Sequence, residues 1–409
     1  MHFVLLGPGP EAAAVHALAD LGHEITVLYT ERNRDAVLGA ADRIKRSGFV
    51  PSYDCPELAW ASLIHLGATH DVHSVIPVHE MAVTTAAFLN DALQLPAAHG
   101  PVAAMAGRDK AFQKSLWERC GVPTSRHVAL TNTPQSLADL ETQLGELQGP
   151  FIVKPPAMGG STLVSECSTT HEVYVLLSNN PALRHAVVEE KQNGTEWHFD
   201  GVLKDGRVQH LMVSRYLAPL LETKRGLTNR SVSFPPHQHV SLYADAGDFA
   251  QAAVSALNGI SGVFHLEVFG EPGQFVAGEL AWRPSGALAS LVAVNTIGLD
   301  LWTAHVRSLV GSDVVLGHPK TDAAFGFACL PVSPGRRNGV SHADIEALPG
   351  VRHVRMRVPL GEVMTEATTS TVCVAMVLVE GSDIQSCERL IDDACQSTYE
   401  LHQRLSNST

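Results

Sequence analysis

The sequence predicts an α/β and α+β protein in three parts: a Rossmann-like N-terminal domain over residues 1–97, a central mixed domain over 98–310, and a small C-terminal α+β lobe over 311–409. Three observations lead to this reading. Apolar strands alternate with helix-spaced segments along the first part. A buried-looking strand delivers Lys154 straight into a loop containing Gly159-Gly160. Two strands between Gly262 and Arg283 each carry apolar side chains on one face and a carboxylate on the other.

In the first part, Phe3–Leu6 reads as a short apolar strand, Gly7-Pro8-Gly9-Pro10 as a turn, and Glu11–Leu21 as a helix ended by Gly22. Ile25–Tyr29 and His73–Val78 read as further strands, and Met81–Leu93 as another helix. The Gly7-x-Gly9-x-x-Ala12 spacing invites a dinucleotide reading and, with it, an oxidoreductase. Prolines at positions 8 and 10 remove backbone donors that would face a pyrophosphate, so a tight strand-to-helix turn is the better reading.

In the central part, Asp109 is placed to cap a helix from Lys110 to Arg119, closed by Gly121. A strand near Arg126–Leu130, a helix near Pro134–Leu147 and a strand–loop–strand unit (Phe151–Pro155, Pro156–Gly160, Ser161–Cys167) follow. Strands are expected near Ala186–Glu190 and Glu196–Leu203, a polar loop over 217–238, and a helix near Asp245–Leu257. The last part reads as two apolar strands, Ala323–Val332 and Ser370–Val379, flanking a helix and a strand, and then a helix from Ile384 to Gln403.

Composition limits what such a chain can do. Of 409 residues, 45% are hydrophobic and 17% charged, so large cores can be buried. A formal net charge of −13 argues against nucleic acid or an anionic membrane as a partner. It leaves a nucleotide ligand open, because a few local cations can hold phosphates in an acidic protein. The seven scattered cysteines form no CxxC pair and fit reduced thiols. With no basic n-region at the start and no membrane-length apolar run, a cytoplasmic location is expected. The 21 histidines form no HExxH cluster and are expected mostly on the surface or in a cleft.

Three segments carry candidate chemistry. In Phe151-Ile-Val-Lys154-Pro-Pro-Ala-Met-Gly159-Gly160-Ser161, adjacent glycines let backbone N–H groups close on phosphate oxygens, and the lysine adds a point charge. GxxxxGK[ST] is absent, so this is not a P-loop, and an ordinary hairpin remains the alternative. In Val187-Val-Glu189-Glu190-Lys191-Gln-Asn-Gly-Thr-Glu196, a strand end offers backbone groups to an adenine edge, and a later carboxylate can take ribose hydroxyls. A solvated charge cluster is the alternative there. In the third segment, Glu267, Glu279 and Arg283 lie among apolar strand residues, which is costly unless they are paired or metal-bound. Two glutamates with one arginine leave a net negative site, which favours a hard cation such as magnesium over a structural ion pair.

In this order the elements resemble the ATP-grasp superfamily, over most of the chain, and the C-terminal lobe resembles that of its amino-acid ligase branch. The resemblance implies ATP and magnesium, or manganese, as cofactors. It implies that Lys110 and Lys154 contact phosphates under the loop of Gly159, Gly160 and Ser161. It further implies that Glu189, Glu190 and Lys191 lie along an adenine hinge, that Glu196 binds ribose, that Glu267 and Glu279 hold the metal, and that Arg283 meets the transferred phosphate or the reacting carboxylate. One departure stands out: the family ending Glu-x-Asn-x-Arg reads Glu279-Leu-Ala281-Trp-Arg283 here.

The activity implied is a carboxylate–amine ligase working through an acyl phosphate, with small-molecule substrates and a homodimeric state expected. Loading of an amino acid onto a carrier protein, a purine-pathway or carboxylating ligase, and an inactive nucleotide-binding regulator are the alternatives. Arg225 and Arg230 are candidates to clamp a substrate carboxylate, or are simply solvated loop residues.

Parity along the Gly262–Arg283 hairpin yields a geometric expectation. An odd connection, such as Gly270–Gln274, sorts polar from apolar side chains on both strands. It places Glu267 opposite Ala277, with Glu267 and Glu279 as same-face diagonal neighbours roughly 7–8 Å apart.

Overall fold

The computed structural model describes residues 1–319, 323–366 and 369–406, and the side chains of Lys224, Arg225, Leu405 and Ser406 lie outside what it describes. Strands β1 (His2–Leu6), β2 (Glu24–Tyr29), β3 (Arg46–Phe49) and β4 (Ser74–Pro77) form a parallel sheet in the order β3-β2-β1-β4. β1 and β4 are buried along their whole length, as a parallel sheet covered on both faces requires. Gly7 and Gly9 take positive φ (101° and 78°) in the turn after β1, and a Cβ on Gly9 would lie 3.2 Å from the Ala14 backbone nitrogen. The turn is tight, as expected, and it lies outside the main cleft. Directly after β4, a short 3-10 turn (Glu80–Ala82) places Glu80 at the carboxyl edge of the sheet, the edge where open α/β sheets bind ligands.

β5 (His127–Leu130), β6 (Phe151–Lys154), β7 (Ser165–Cys167) and β8 (Ala186–Glu190) form a small antiparallel sheet in the order β5-β8-β6-β7. Its inner face packs Phe151, Val153, Ala186 and Val188 against Leu140, Leu144, Val173 and Leu177 of two helices. The strand expected from Ser161 is shorter: Ser161 and Leu163 take φ of 57° and 56°, so Ser161 belongs to the loop.

The third sheet has eight antiparallel strands. They are β9 (Glu196–Lys204), β10 (Arg207–Tyr216), β11 (Arg230–Ser233), β12 (Gly262–Phe269), β13 (Val276–Ala281), β14 (Ala324–Cys329), β15 (Val351–Met356) and β16 (Ala375–Gly381). Their order is β13-β12-β9-β10-β11-β14-β16-β15, so one sheet runs on both sides of residue 310. The helix Val240–Ala256 covers one face over Phe199, Val213, Phe264 and Leu266. Helices Ala289–Ile297 and Leu301–Leu309 cover part of the other over Val202, Met212 and Phe325. β11 falls inside the segment read as a loop: Arg230-Ser-Val-Ser holds one apolar residue, and pairing with β10 and β14 makes it a strand. β10, unmarked in the sequence reading, is a strand for the same reason, through its ladder to β9. No helix among the described residues is long and apolar enough to cross a membrane.

The β12–β13 register corrects the expectation. Phe269 pairs with Val276 and Val268 with Ala277, then a bulge at Gly278 shifts the ladder so that Glu267 pairs with Glu279 and Leu266 with Leu280. The connection is even, and the bulge restores the parity that an odd connection was expected to supply. The two glutamates are therefore on one face, as expected, but directly opposed rather than diagonal. Gly278 has to lack a side chain: a Cβ there would lie 2.7 Å from the Phe269 ring and 3.1 Å from the Glu267 carbonyl oxygen.

Candidate active site

A cleft opens between the small antiparallel sheet and the polar face of the large one. Alternation along β6 and β8 turns Ile152, Lys154 and Glu189 towards it and their neighbours into the core. Lys154 Nζ lies 2.6 Å from Glu189 Oε1, and Lys114 Nζ lies 3.0 Å from Glu189 Oε2. Burial pushes the Glu189 carboxyl up, but the two ammonium groups outweigh it and hold it at about 2. Burial likewise lowers Lys154, and the carboxylates of Glu189 and Glu279 outweigh it and raise it. Lys114 was missed in the sequence. Its only signal there is the four-residue spacing from Lys110, which puts both on one side of the helix Lys110–Arg119.

Asp109 caps that helix as expected, accepting from Phe112 N at 2.9 Å. Lys110 Nζ donates to the Met158 carbonyl at 2.6 Å and lies 3.0 Å from Glu279 Oε1, joining the glycine loop to β13. The loop is closely bracketed: a Cβ on Gly159 would lie 3.1 Å from Glu80 Oε2, Gly160 has φ of 65°, and Ser370 N donates to Gly160 O at 3.4 Å.

Arg283 sits just past β13, where Trp282 turns the other way, stacks on His99 at 4.5 Å and donates from Nε1 to Ala103 O at 2.7 Å. Arg283 Nε and Nη2 both donate to Glu80 Oε2, at 3.0 and 2.7 Å. The other Glu80 oxygen takes Arg108 Nη1 at 2.5 Å. Burial raises the Glu80 carboxyl, and the two guanidinium groups outweigh it and hold it at about 2. Neither Glu80 nor Arg108 was singled out in the sequence, where no local pattern marks them.

The cleft face of the large sheet carries rows of polar side chains. Glu279, Glu267, His198, Ser214 and Ser233 are paired across five strands. His265 and Asp200 are paired in the next row; on the other side Tyr216 pairs with Ser231, and Glu196 pairs with Phe269. The signal was present in β9, where Glu196, His198 and Asp200 alternate with Trp197 and Phe199. Asp200 is fully buried and accepts from His198 Nδ1 at 2.6 Å and His265 Nδ1 at 3.0 Å. Burial lowers His265, but Asp200 outweighs it and raises the imidazole to about 9. Among the 21 histidines, His2, His99, His198, His265, His305 and His402 are buried.

Several expected residues meet here: Lys110, Lys154, Gly159, Gly160, Ser161, Glu189, Lys191, Glu196, Glu267, Glu279 and Arg283 all line the cleft. Details differ for the hinge. The Glu189 side chain is the counter-ion of two lysines. Glu190 turns away, accepting from Gln148 N at 2.8 Å and Arg126 Nη1 at 3.3 Å. Lys191 pairs with Glu166 at 2.8 Å. Glu196 accepts from Leu220 N at 3.0 Å, and burial, with Glu267 beside it, pushes its carboxyl up to about 8. Arg230 pairs with Asp392 of the last helix rather than facing the cleft. The Arg225 side chain lies outside the described residues. The directly opposed Glu267 and Glu279 carboxylates, next to Lys110 and open to the cleft, are oxygen donors of the kind magnesium takes, so the residues present fit that ion.

The chain is similar to an L-amino acid ligase from Bacillus licheniformis of known structure, with a TM-score of 0.75 and 16% identity over 96% of both chains. It is also similar to carboxyaminoimidazole ribonucleotide synthase from Aspergillus clavatus complexed with ATP, with a TM-score of 0.69 and 16% identity over 98% of both. The fold is that of the ATP-grasp enzymes. In sequence, the chain is 23% identical over 344 residues to the L-arginine-specific L-amino acid ligase of Bacillus subtilis, covering 80% of this chain and 79% of that one. It is 38% identical over 115 residues to D-alanine–D-alanine ligase of Mycobacterium ulcerans, covering 27% of this chain and 30% of that one. No family model matches it. The cleft holds lysines, an arginine and two facing glutamates, and Ala281 stands directly across from His265.

Proposed function

We propose that this chain is an ATP-dependent carboxylate–amine ligase that joins an amino acid to a second amino acid or amine and releases ADP and phosphate. The observation that carries the reading is the convergence of Lys110, Lys154 and Arg283 with the opposed Glu267 and Glu279 in one cleft. Cations for a polyphosphate and carboxylates for a hard cation are both present there, and the ATP-grasp fold supports the same chemistry.

In the first step a substrate carboxylate oxygen attacks the γ-phosphorus, the bond to the bridging oxygen breaks, and ADP leaves an acyl phosphate behind. In the second, an amine nitrogen attacks the acyl carbon, the carbon–oxygen bond to phosphate breaks, and the nitrogen gives up a proton as the amide forms. A magnesium ion held by Glu267 and Glu279 would neutralise phosphate charge. Lys110 and Lys154 hold the nucleotide phosphates. Lys154 exchanges Glu189 for phosphate while Lys114 keeps Glu189 paired. Arg283, oriented by Glu80, meets the oxygens of the transferring group, where charge develops. Closure of the Gly159–Ser161 loop excludes water from the acyl phosphate. The side-chain position of Glu196 suits a ribose contact, and the backbone at Glu190–Gln192 suits the adenine edge.

An array of amino acids and amines scored for phosphate release tests the proposal. Stoichiometric ADP supports it, and AMP with pyrophosphate overturns it. Acceptance of a carrier protein as the amine or thiol partner in the same array would favour the loading variant. Cytoplasmic location and a homodimer complete the proposal, checked by fractionation and sedimentation.

A further inference from the structure

Cross-strand pairing sets four positions in a square on the cleft face of β12 and β13. Glu267 opposes Glu279, and one pleat further along His265 opposes Ala281. Three corners carry atoms that can bind a cation, and the fourth is a methyl group, which leaves the space beside His265 open towards the carboxylates. His265 is only 8% exposed, yet it lines the cleft.

Its two ring nitrogens have different surroundings. Nδ1 lies 3.0 Å from Asp200 Oδ1, and Nε2 lies 3.8 Å from Glu267 Oε1, beyond hydrogen-bonding distance. Asp200 only accepts, so Nδ1 carries the proton of that contact, and Nε2, once free of any proton of its own, is the nitrogen a ligand can use. The second Asp200 oxygen is taken by His198 Nδ1 at 2.6 Å, and His198 Nε2 reaches Ser231 Oγ at 2.7 Å. Asp200 is thereby held from both sides and cannot swing away from His265. A carboxylate fixing one imidazole nitrogen so that the other meets a metal is a recurrent arrangement. His198, Asp200 and His265 also lie within 4.8 Å of one another, but the hydrogen bonds among them fill the space an ion would need.

We propose that His265 Nε2 is the third protein ligand of the cation held between Glu267 and Glu279, and that this nitrogen biases the site towards manganese over magnesium. The inference rests on the cation site of the proposed function. A nitrogen ligand disfavours magnesium, a strict taker of oxygen, more than a first-row divalent metal. Any second proton on the imidazole leaves when a cation binds, as ligand deprotonation requires.

The test uses the whole chain with ADP and Mn2+. Free Mn2+ is followed by electron paramagnetic resonance, and the bound ion's spin echo is examined for nitrogen-14 modulation. Imidazole modulation is expected in the unmutated protein. His265→Ala is expected to abolish it and to weaken Mn2+ binding by about 10–100-fold, with a smaller loss for Mg2+ in competition. Bound Mn2+ without nitrogen modulation overturns the proposal, whether or not the variant folds, and so does an unchanged Mn2+ affinity in His265→Ala. Glu267→Gln separates the two levels. If it leaves Mn2+ binding intact, the cation site of the proposed function fails. If it abolishes binding while His265→Ala does not, only the role of His265 fails.

Discussion

Arg283 and Glu80, 203 residues apart, are joined by two hydrogen bonds to a single carboxylate oxygen, at 2.7 and 3.0 Å. The pair ties the carboxyl edge of the parallel sheet to the end of β13, and Arg108 anchors the same carboxylate from its other oxygen at 2.5 Å. Arg283 therefore reaches the cleft already oriented. Glu80→Ala is expected to leave two largely buried guanidinium groups without their anion and to destabilise the fold by about 3–5 kcal/mol. Denaturant unfolding measures this, and a change below about 1 kcal/mol would show that the pair behaves as a surface salt bridge.

Arg283→Ala removes the group proposed to meet the transferring phosphate while Lys110 and Lys154 remain. Turnover is expected to fall by about 10²–10³ with ATP still bound. Steady-state kinetics and nucleotide titration together check this, and a loss confined to ATP affinity would move Arg283 out of the transition state.

Lys154→Ala is expected to weaken ATP binding and to reduce turnover with the fold intact, because Lys114 still pairs with Glu189 at 3.0 Å. Lys114→Met acts differently. It leaves Glu189 with Lys154 alone, so Lys154 is held back by its counter-ion, and KM for ATP is expected to rise more than kcat falls. Equal kinetics for Lys114→Met and the parent protein would show that Glu189 releases Lys154 without help.

Glu196 supplies a pH dependence of stability. Its carboxyl is pushed up to about 8, first by burial and then by Glu267, from an ordinary value of 4.5. The folded state therefore holds this proton more tightly than the unfolded one. The contribution is fully present below pH 4.5 and is lost as pH rises towards 8. Glu196→Gln keeps an acceptor for Leu220 N and removes the ionisation, so it is expected to raise Tm at pH 8 more than at pH 5. If Glu196 also takes the ribose, the same variant binds ATP more weakly. Thermal melts at the two pH values and a nucleotide titration read both effects, and a Tm gain independent of pH would rule out the ionisation.

Local chemistry by itself determined much of this protein. The Asp109 cap and the helix Lys110–Arg119, the strand that ends on Lys154, the glycines after it, and the alternation that sends Glu267 and Glu279 away from Phe264, Leu266 and Leu280 are all set by neighbours a few residues apart. Such patterns are legible because helix and strand periodicities repeat over a few residues. Tertiary structure alone decided what stands opposite what. The bulge at Gly278 set the register of the two glutamates, and ladders to distant strands turned 207–216 and 230–233 into β10 and β11. Glu80 reached Arg283 only when the parallel sheet met the large one, Lys114 reached Glu189 when its helix packed on the small sheet, and Asp200 reached His265 when β9 paired with β12. Those partners lie 203, 75 and 65 residues apart (for Lys114 and Glu189, 189 − 114). Each buried charge needed a partner, but no spacing in the chain names which one, because the partner is chosen by the closing of the fold.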